Sequence, residues 1–157
     1  MSFAFPIRIY WEDTDAGGIV FYANYLKFME RARTEWLRSL GIEQQKLRSD
    51  SGGIFVVSET SLKYHRPARL DDQLLVTARL RQAGTASLII EQRVLSNPEH
   101  KGTPEELPAQ ALLCEGTIRI GWVNAASMRP SRLPASVSTV FERLVPRGTP
   151  PGGASQQ

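Results

Sequence analysis

The sequence predicts an α+β fold in which an antiparallel sheet wraps around one long helix. Apolar residues recur at three- and four-residue steps through a single long stretch, Tyr25 to Leu40, as on one face of a helix. Strict alternation marks Leu74 to Arg81, the clearest period-two segment of the chain. One strand pattern precedes the helix and four follow it, so a single helix must serve the sheet as its core. At 157 residues the chain fits one domain, taken as residues 1–144, which can bury roughly two thirds of its unfolded surface.

Phe5 to Trp11 reads as the first strand, with Phe5, Ile7 and Ile9 alternating against Pro6 and Arg8. The helix follows an acidic motif. Its apolar stripe is Tyr25, Met29, Ala32, Trp36 and Leu40, joined by Leu26 and Leu37, while Lys27, Glu30, Arg31 and Glu35 mostly occupy the other face. Gly41 supplies the stop expected after the last helical turn. A polar linker then runs through Gly52-Gly53 to a second strand, Ile54 to Tyr64, whose Ile54, Val56, Leu62 and Tyr64 share one face around Ser58 and Thr60. Leu74, Val76, Ala78 and Leu80 give the third strand its inner face. A hairpin turns near Gly84-Thr85, the returning strand is Ser87 to Leu95, and a last strand sets Leu112, Cys114, Ile118, Ile120 and Trp122 on one face. Asn97 to Pro108 is too rich in proline and charge for regular structure and reads as a protruding loop. A short helix runs from Pro134 to Leu144, and residues 145–157, rich in Pro, Gly, Ser and Gln, read as a disordered tail.

The formal net charge of +3 comes from scattered arginines without a dense basic tract, so nucleic acid is not indicated. No apolar run approaches the roughly 20 residues that a membrane-spanning helix needs. The first residues lack a basic leader followed by an apolar segment, and a cytoplasmic location is the expectation. The single cysteine, Cys114, can form no internal disulfide and reads as a small buried hydrophobe.

The stretch Glu12-Asp13-Thr14-Asp15-Ala16-Gly17-Gly18 sets carboxylates and glycines directly before the helix. Acids there complement the positive helix end, and adjacent glycines let backbone N–H groups approach a ligand oxygen. A carboxylate beside such donors is equipped to attack or hydrolyse a polarised carbonyl. Asp13, Asp15 and Gly18 also fall at the first, third and sixth positions of a calcium loop. The twelfth position is Asn24 where a bidentate Glu is required, and a strand precedes the motif where a helix should, so no metal is expected. His65 and His100 lack partner spacing for a metal site or a triad and read as structural.

Tyr10-Trp11-Glu12-Asp13-Thr14-Asp15-Ala16-Gly17-Gly18-Ile19-Val20, Tyr25, Glu30-Arg31-Ala32-Arg33-Thr34-Glu35, Pro67-Ala68-Arg69-Leu70-Asp71-Asp72 and Met128-Arg129-Pro130 together resemble the hotdog-fold acyl-CoA thioesterases. Within them the chain is similar to the hydroxybenzoyl-CoA thioesterase-like group and its branch associated with the Tol-Pal envelope system. The likeness covers nearly all of the chain to about Leu144. It implies a five-stranded antiparallel sheet around one central helix and hydrolysis of an acyl-CoA to free acid and CoA without a cofactor. It further implies a homodimer paired into a homotetramer, with sites formed between subunits.

The resemblance assigns the essential carboxylate to Asp15. That group either attacks the thioester to form an acyl-enzyme anhydride or acts as general base toward water, and the sequence leaves both open. The backbone N–H of Tyr22 is implied to polarise the thioester carbonyl, with the helix dipole adding to the pull. The Tol-Pal branch often carries histidine where Tyr22 stands, whereas the hydroxybenzoyl type carries tyrosine there, and Asn24 also matches that type. Gly17, Gly18 and Asn24 are implied substrate contacts. Arg81, Gly84, Thr85 and Ser87 are candidates for pantetheine and the charged end of CoA, with Arg79 and Arg93 as further cations. Other hotdog branches place their acid on the central helix, where Glu30 is the runner-up. The insertion from Asn97 to Pro108 is longer than either group implies. The competing function is a non-hydrolytic module binding acyl-CoA or an acyl carrier protein on the same fold, for which no carboxylate at Asp15 is needed.

Overall fold

The computed structural model describes residues 3–97 and 110–145. The predicted insertion beyond Asn97 and the predicted tail beyond Val145 lie outside those residues. The elements are β1 (Phe3–Arg8), a 3-10 turn (Trp11–Asp13), α1 (Asn24–Ser39), α2 (Gln44–Ser51), β2 (Gly53–Tyr64), β3 (Gln73–Ala83), β4 (Ser87–Ser96), β5 (Leu112–Asn124) and α3 (Ala135–Leu144). The five strands form one antiparallel sheet in the order β1-β3-β4-β5-β2, the α+β arrangement with one long helix that the sequence predicts. Among the described residues, no helix is long and apolar enough to cross a membrane. The described residues divide into two compact units, 3–36 with 62–78, 92–97 and 110–116, and 37–61 with 79–91 and 117–145.

In the first unit β1 pairs antiparallel with the start of β3, from Phe3 opposite Ala78 to Arg8 opposite Gln73. The period-two pattern does what it should: Ile7, Leu74, Val76 and Ala78 are buried. β1 ends earlier than the predicted Trp11, because the Asp13 carboxylate takes the Tyr10 N–H at 2.9 Å and draws the chain into the 3-10 turn. On α1 the buried stripe is Tyr25, Phe28, Met29, Ala32 and Trp36. Leu26, predicted inside, is 42% exposed, and the fully buried Phe28 fills the face in its place. Each large side chain buried this way removes apolar surface worth about 1.5–3 kcal/mol.

One polar group sits in that apolar layer. Gln92 of β4 is fully buried, donates to the carbonyls of Met29 (3.0 Å) and Thr77 (3.2 Å), and accepts from the Arg33 guanidinium (2.9 Å). Its amide is satisfied at three points and ties α1 to β3, so burial carries no unpaired-group penalty. Burial lowers the Arg33 guanidinium below its ordinary range, an effect that Glu30 opposes.

In the second unit the predicted polar linker before β2 is instead a helix, α2. Eight residues with no buried side chain offer no apolar stripe to read, and the helix is closed by Gly52 at φ 76 with its N–H on the Arg48 carbonyl. β2 is an end strand of the sheet, and of the four residues expected to share a face Ile54, Val56 and Leu62 are half-buried while Tyr64 is exposed, with residues 57–61 between them exposed as well. Leu80, Leu88, Ile90, Ile118, Ile120 and Trp122 form the unit's strand core, and Val137 and Phe141 of α3 are buried. Gly53 meets the indole of Trp122 with no room for a β-carbon between them.

Candidate active site

The acidic motif is a small hairpin. Phe21 N–H donates to the Asp13 carbonyl at 3.0 Å, Thr14 and Val20 form an antiparallel bridge, and Asp15 N–H donates to the Ile19 carbonyl at 2.9 Å. Gly18 closes the turn with its N–H on the Asp15 carbonyl at 3.0 Å and lies at φ 79, a conformation that disfavours any residue with a β-carbon. A third arm flanks the hairpin: Val20 N–H donates to Ala68, Ile19 bridges Arg69, and Leu70 N–H donates to Gly18. That arm is shaped by the buried Asp72 carboxylate, which accepts the Arg69 N–H at 2.8 Å. The two motifs singled out in the sequence, 10–20 and 67–72, are therefore one assembly.

Asp15 is exposed at the tip of this hairpin. Its Oδ1 accepts the Gly17 N–H at 2.8 Å and the Ile19 N–H at 3.4 Å. Among the described residues, Oδ2 has no partner. The glycine amides expected to face a ligand are thus engaged by Asp15 itself, Gly17 on its carboxylate and Gly18 on its carbonyl. The loop closes through its own amides because they are the nearest donors to an acid two residues away. What the glycines supply is the turn that orients the carboxylate.

Tyr22 stands where the hairpin meets α1. The Phe21 carbonyl accepts Asn24 N–H at 2.8 Å. In a trans peptide the carbonyl and the following N–H point opposite ways, so the Tyr22 N–H is turned away from the helix. Among the described residues it has no acceptor. It is an orphan donor at the positive end of the sixteen-residue α1, the arrangement that binds and polarises an oxygen. Tyr22 as a residue is 64% exposed.

Asn24, expected to meet substrate, is buried and donates its side-chain amide to the Asp13 carbonyl at 2.8 Å. That carbonyl thus holds both Phe21 and Asn24 and joins hairpin to helix. Tyr25 is also a structural polar group: its hydroxyl accepts the buried Ala68 N–H at 3.0 Å, and burial raises its pKa above the ordinary value. Tyr25→Phe leaves that amide without an acceptor, and an orphaned buried donor costs about 2 kcal/mol. Thermal unfolding should show a drop of roughly 4–8 °C; an unchanged midpoint overturns the assignment.

Glu30 is exposed on α1. His65 pairs with Glu115 at 2.9 Å, and Arg93 lies 4.0 Å from the same carboxylate. In the other unit, Arg79 and Arg81 both meet Glu91. Gly84 closes the β3–β4 turn with its N–H on the Ser87 carbonyl at 2.8 Å, and the Thr85 carbonyl accepts Leu133 N–H. A cleft of about 670 Å³ beside the motif is lined by Arg8, Ile9, Tyr10, Trp11, Glu12, Leu70 and Asp71, without Asp15 or Tyr22. Its two carboxylates outnumber its guanidinium, so it does not suit a phosphate-bearing ligand. The role of Tyr64, whose hydroxyl reaches the Tyr22 carbonyl, was missed in the sequence, since nothing local links two residues 42 positions apart.

An antiparallel five-stranded sheet with one long helix is the architecture of the hotdog thioesterases. The chain matches the thioesterase superfamily over residues 17–103 and belongs to that family. It is 37% identical over 143 residues to the acyl-CoA thioesterase YbgC of Haemophilus influenzae, covering 91% of this chain and 96% of that protein. The acyl-CoA thioester hydrolase YbgC of Escherichia coli O157:H7 is 38% identical over 90% of this chain and 96% of its own. Among solved structures, a probable thioesterase from Bartonella henselae is 31% identical with a TM-score of 0.72, over 85% of this chain and 100% of that one.

Proposed function

We propose that this protein hydrolyses acyl-CoA thioesters, with Asp15 as nucleophile or general base and the Tyr22 N–H as oxyanion donor. The observation that carries this reading is the pairing, on one loop, of an oriented carboxylate with a free oxygen and an orphan amide at a helix start. Ile19 lies opposite Asp15 in the hairpin, and three residues of chain, at most about 10 Å, separate Ile19 from Tyr22. A thioester bound there would take the amide on its carbonyl oxygen at about 2.9 Å and meet the carboxylate oxygen at its carbon at about 3.3 Å.

Attack by Asp15 Oδ2 on the thioester carbon moves the carbonyl electrons onto the oxygen at the Tyr22 N–H. Collapse expels CoA thiolate, which takes a proton from solvent, and leaves an anhydride that water cleaves. In the general-base form, Oδ2 removes the proton of an attacking water. Either course ends in free acid and CoA, and the YbgC relatives' names agree with that overall reaction.

In the same reading Arg81, Gly84, Thr85 and Ser87 bind the CoA moiety, supported by the hairpin's hydroxyls and cation. A dimer continued through the edge strand β2, pairing into a tetramer, fits the unpaired outer edge of that strand. A cytoplasmic location and use of acyl-carrier-protein thioesters complete the proposal.

The test is a panel of short aliphatic, long aliphatic and aromatic acyl-CoAs, read by release of the CoA thiol. Cys114 does not interfere, being buried, with burial and then Glu115 pushing its thiol up to about 11. Turnover of at least one class is expected. Binding of acyl-CoA without any thiol release overturns the hydrolase reading in favour of a binding module.

A further inference from the structure

Tyr64, the last residue of β2, reaches the turn at the start of α1 from outside it. Its hydroxyl donates to the Tyr22 carbonyl at 3.1 Å. Its ring stands edge-on to that of Tyr22 at 6.2 Å between centroids and packs on the buried Tyr25 at 5.6 Å. Two peptide planes flank Tyr22. The first, which carries the Tyr22 N–H, is held by Asn24 N–H on the Phe21 carbonyl. The second carries the Tyr22 carbonyl, and among the described residues Tyr64 is its only hydrogen-bond partner. The two planes meet at the Tyr22 Cα, so anchoring the second from another element restrains where that Cα sits, and the first plane cannot carry its N–H elsewhere without stretching the bond from Tyr64 or the one from Asn24.

We propose that Tyr64 is a positioning residue that fixes the Tyr22 turn so that its N–H points at the developing oxyanion. This rests on the reading of Tyr22 as oxyanion donor. Tyr64 touches no reacting atom in this role; it acts through the carbonyl of the residue whose amide does. A preorganised donor is worth most where it is already aimed before charge develops, and a hydroxyl from another element supplies aim that a turn alone does not. Partial burial, with Cys114 and Tyr22 nearby, raises the Tyr64 phenol above its ordinary value, so the O–H remains a donor at the pH of any acyl-CoA assay.

Tyr64→Phe keeps both ring contacts and removes only the hydroxyl. Steady-state hydrolysis of the same acyl-CoA panel is expected to show kcat lowered about 3- to 10-fold, the equivalent of one modest hydrogen bond. KM should stay within a factor of about two and the unfolding midpoint within about 2 °C. Because the thioester carbonyl is common to every substrate, the fold-loss should be the same for short, long and aromatic acyl groups. Unchanged kcat, a loss confined to KM, or a loss that varies with the acyl group each overturns the proposal. Asp15→Asn, assayed in parallel, separates the two readings. If it is inactive while Tyr64→Phe is fully active, only the role of Tyr64 fails; if it is fully active, the reading of the site and the role of Tyr64 both fail.

Discussion

Asp15→Asn is expected to lower kcat for acyl-CoA hydrolysis roughly 10²- to 10⁴-fold, the range for loss of a positioned base or nucleophile, while the protein stays folded. The change is nearly isosteric, and the amide oxygen of Asn can still accept the Gly17 and Ile19 N–H groups that now hold Asp15 Oδ1. Only Oδ2 is replaced, by an NH₂ that neither attacks a carbonyl nor takes a proton from water. The unfolding midpoint should therefore move by no more than about 2 °C. The measurement pairs CoA release with a thermal melt, so that loss of chemistry is not mistaken for loss of fold. Equal turnover by the two proteins would remove Asp15 from the mechanism and return attention to Glu30.

Gly53→Ala should be among the most destabilising single changes in the second unit. Local preference argues weakly the other way, because Gly costs about 0.5–1 kcal/mol against Ala inside a strand and Gly53 opens β2. Packing decides. A β-carbon at Gly53 would lie 2.2 Å from Trp122 Cζ2 and 2.4 Å from Cε2, far inside contact distance. Trp122 is only 3% exposed and its ring is packed on Phe55 at 4.9 Å between centroids, so it has little room to withdraw. Overpacking of this kind costs about 1–3 kcal/mol, enough to outweigh propensity, and a net loss near 2 kcal/mol lowers the midpoint roughly 4–8 °C. In a Trp122→Leu background the same substitution should cost much less. A penalty that persists there would mean the indole is not its cause.

Regular elements were legible wherever one face is buried. The α1 stripe, the alternation of β3 and the turn at Gly84 each follow from period and local chemistry, and α3 lies within a residue of its expected bounds. The lapses have physical causes. α2 buries nothing and so leaves no periodic trace. β2 reads as a strand with Ile54, Val56, Leu62 and Tyr64 on one face; the strand is there, but that face is only half-buried and Tyr64 is exposed, because how far a face is covered depends on what packs over it, which no local pattern encodes. In the site, the acidic motif was visible as chemistry, whereas the destination of each hydrogen bond was not. Asn24 looked like an open polar group and is instead buried against Asp13. Gly17 looked like a free donor and is turned on Asp15. The Gln92 tie to Met29 spans 63 positions and needs the packed sheet to exist at all.

The acidic hairpin also says how far the motif can be moved. Its hydrogen bonds close on residues 10–25, on the arm at 68–72, with Tyr25 and Ala68 joining the two, and on Tyr64 at the end of β2. The Asp15 carboxylate carries its own clamps from Gly17 and Ile19. The motif is a cassette of two segments with a pin at Tyr64, and transplanting the first segment alone would deliver the right letters in a loop that has lost a wall and its pin.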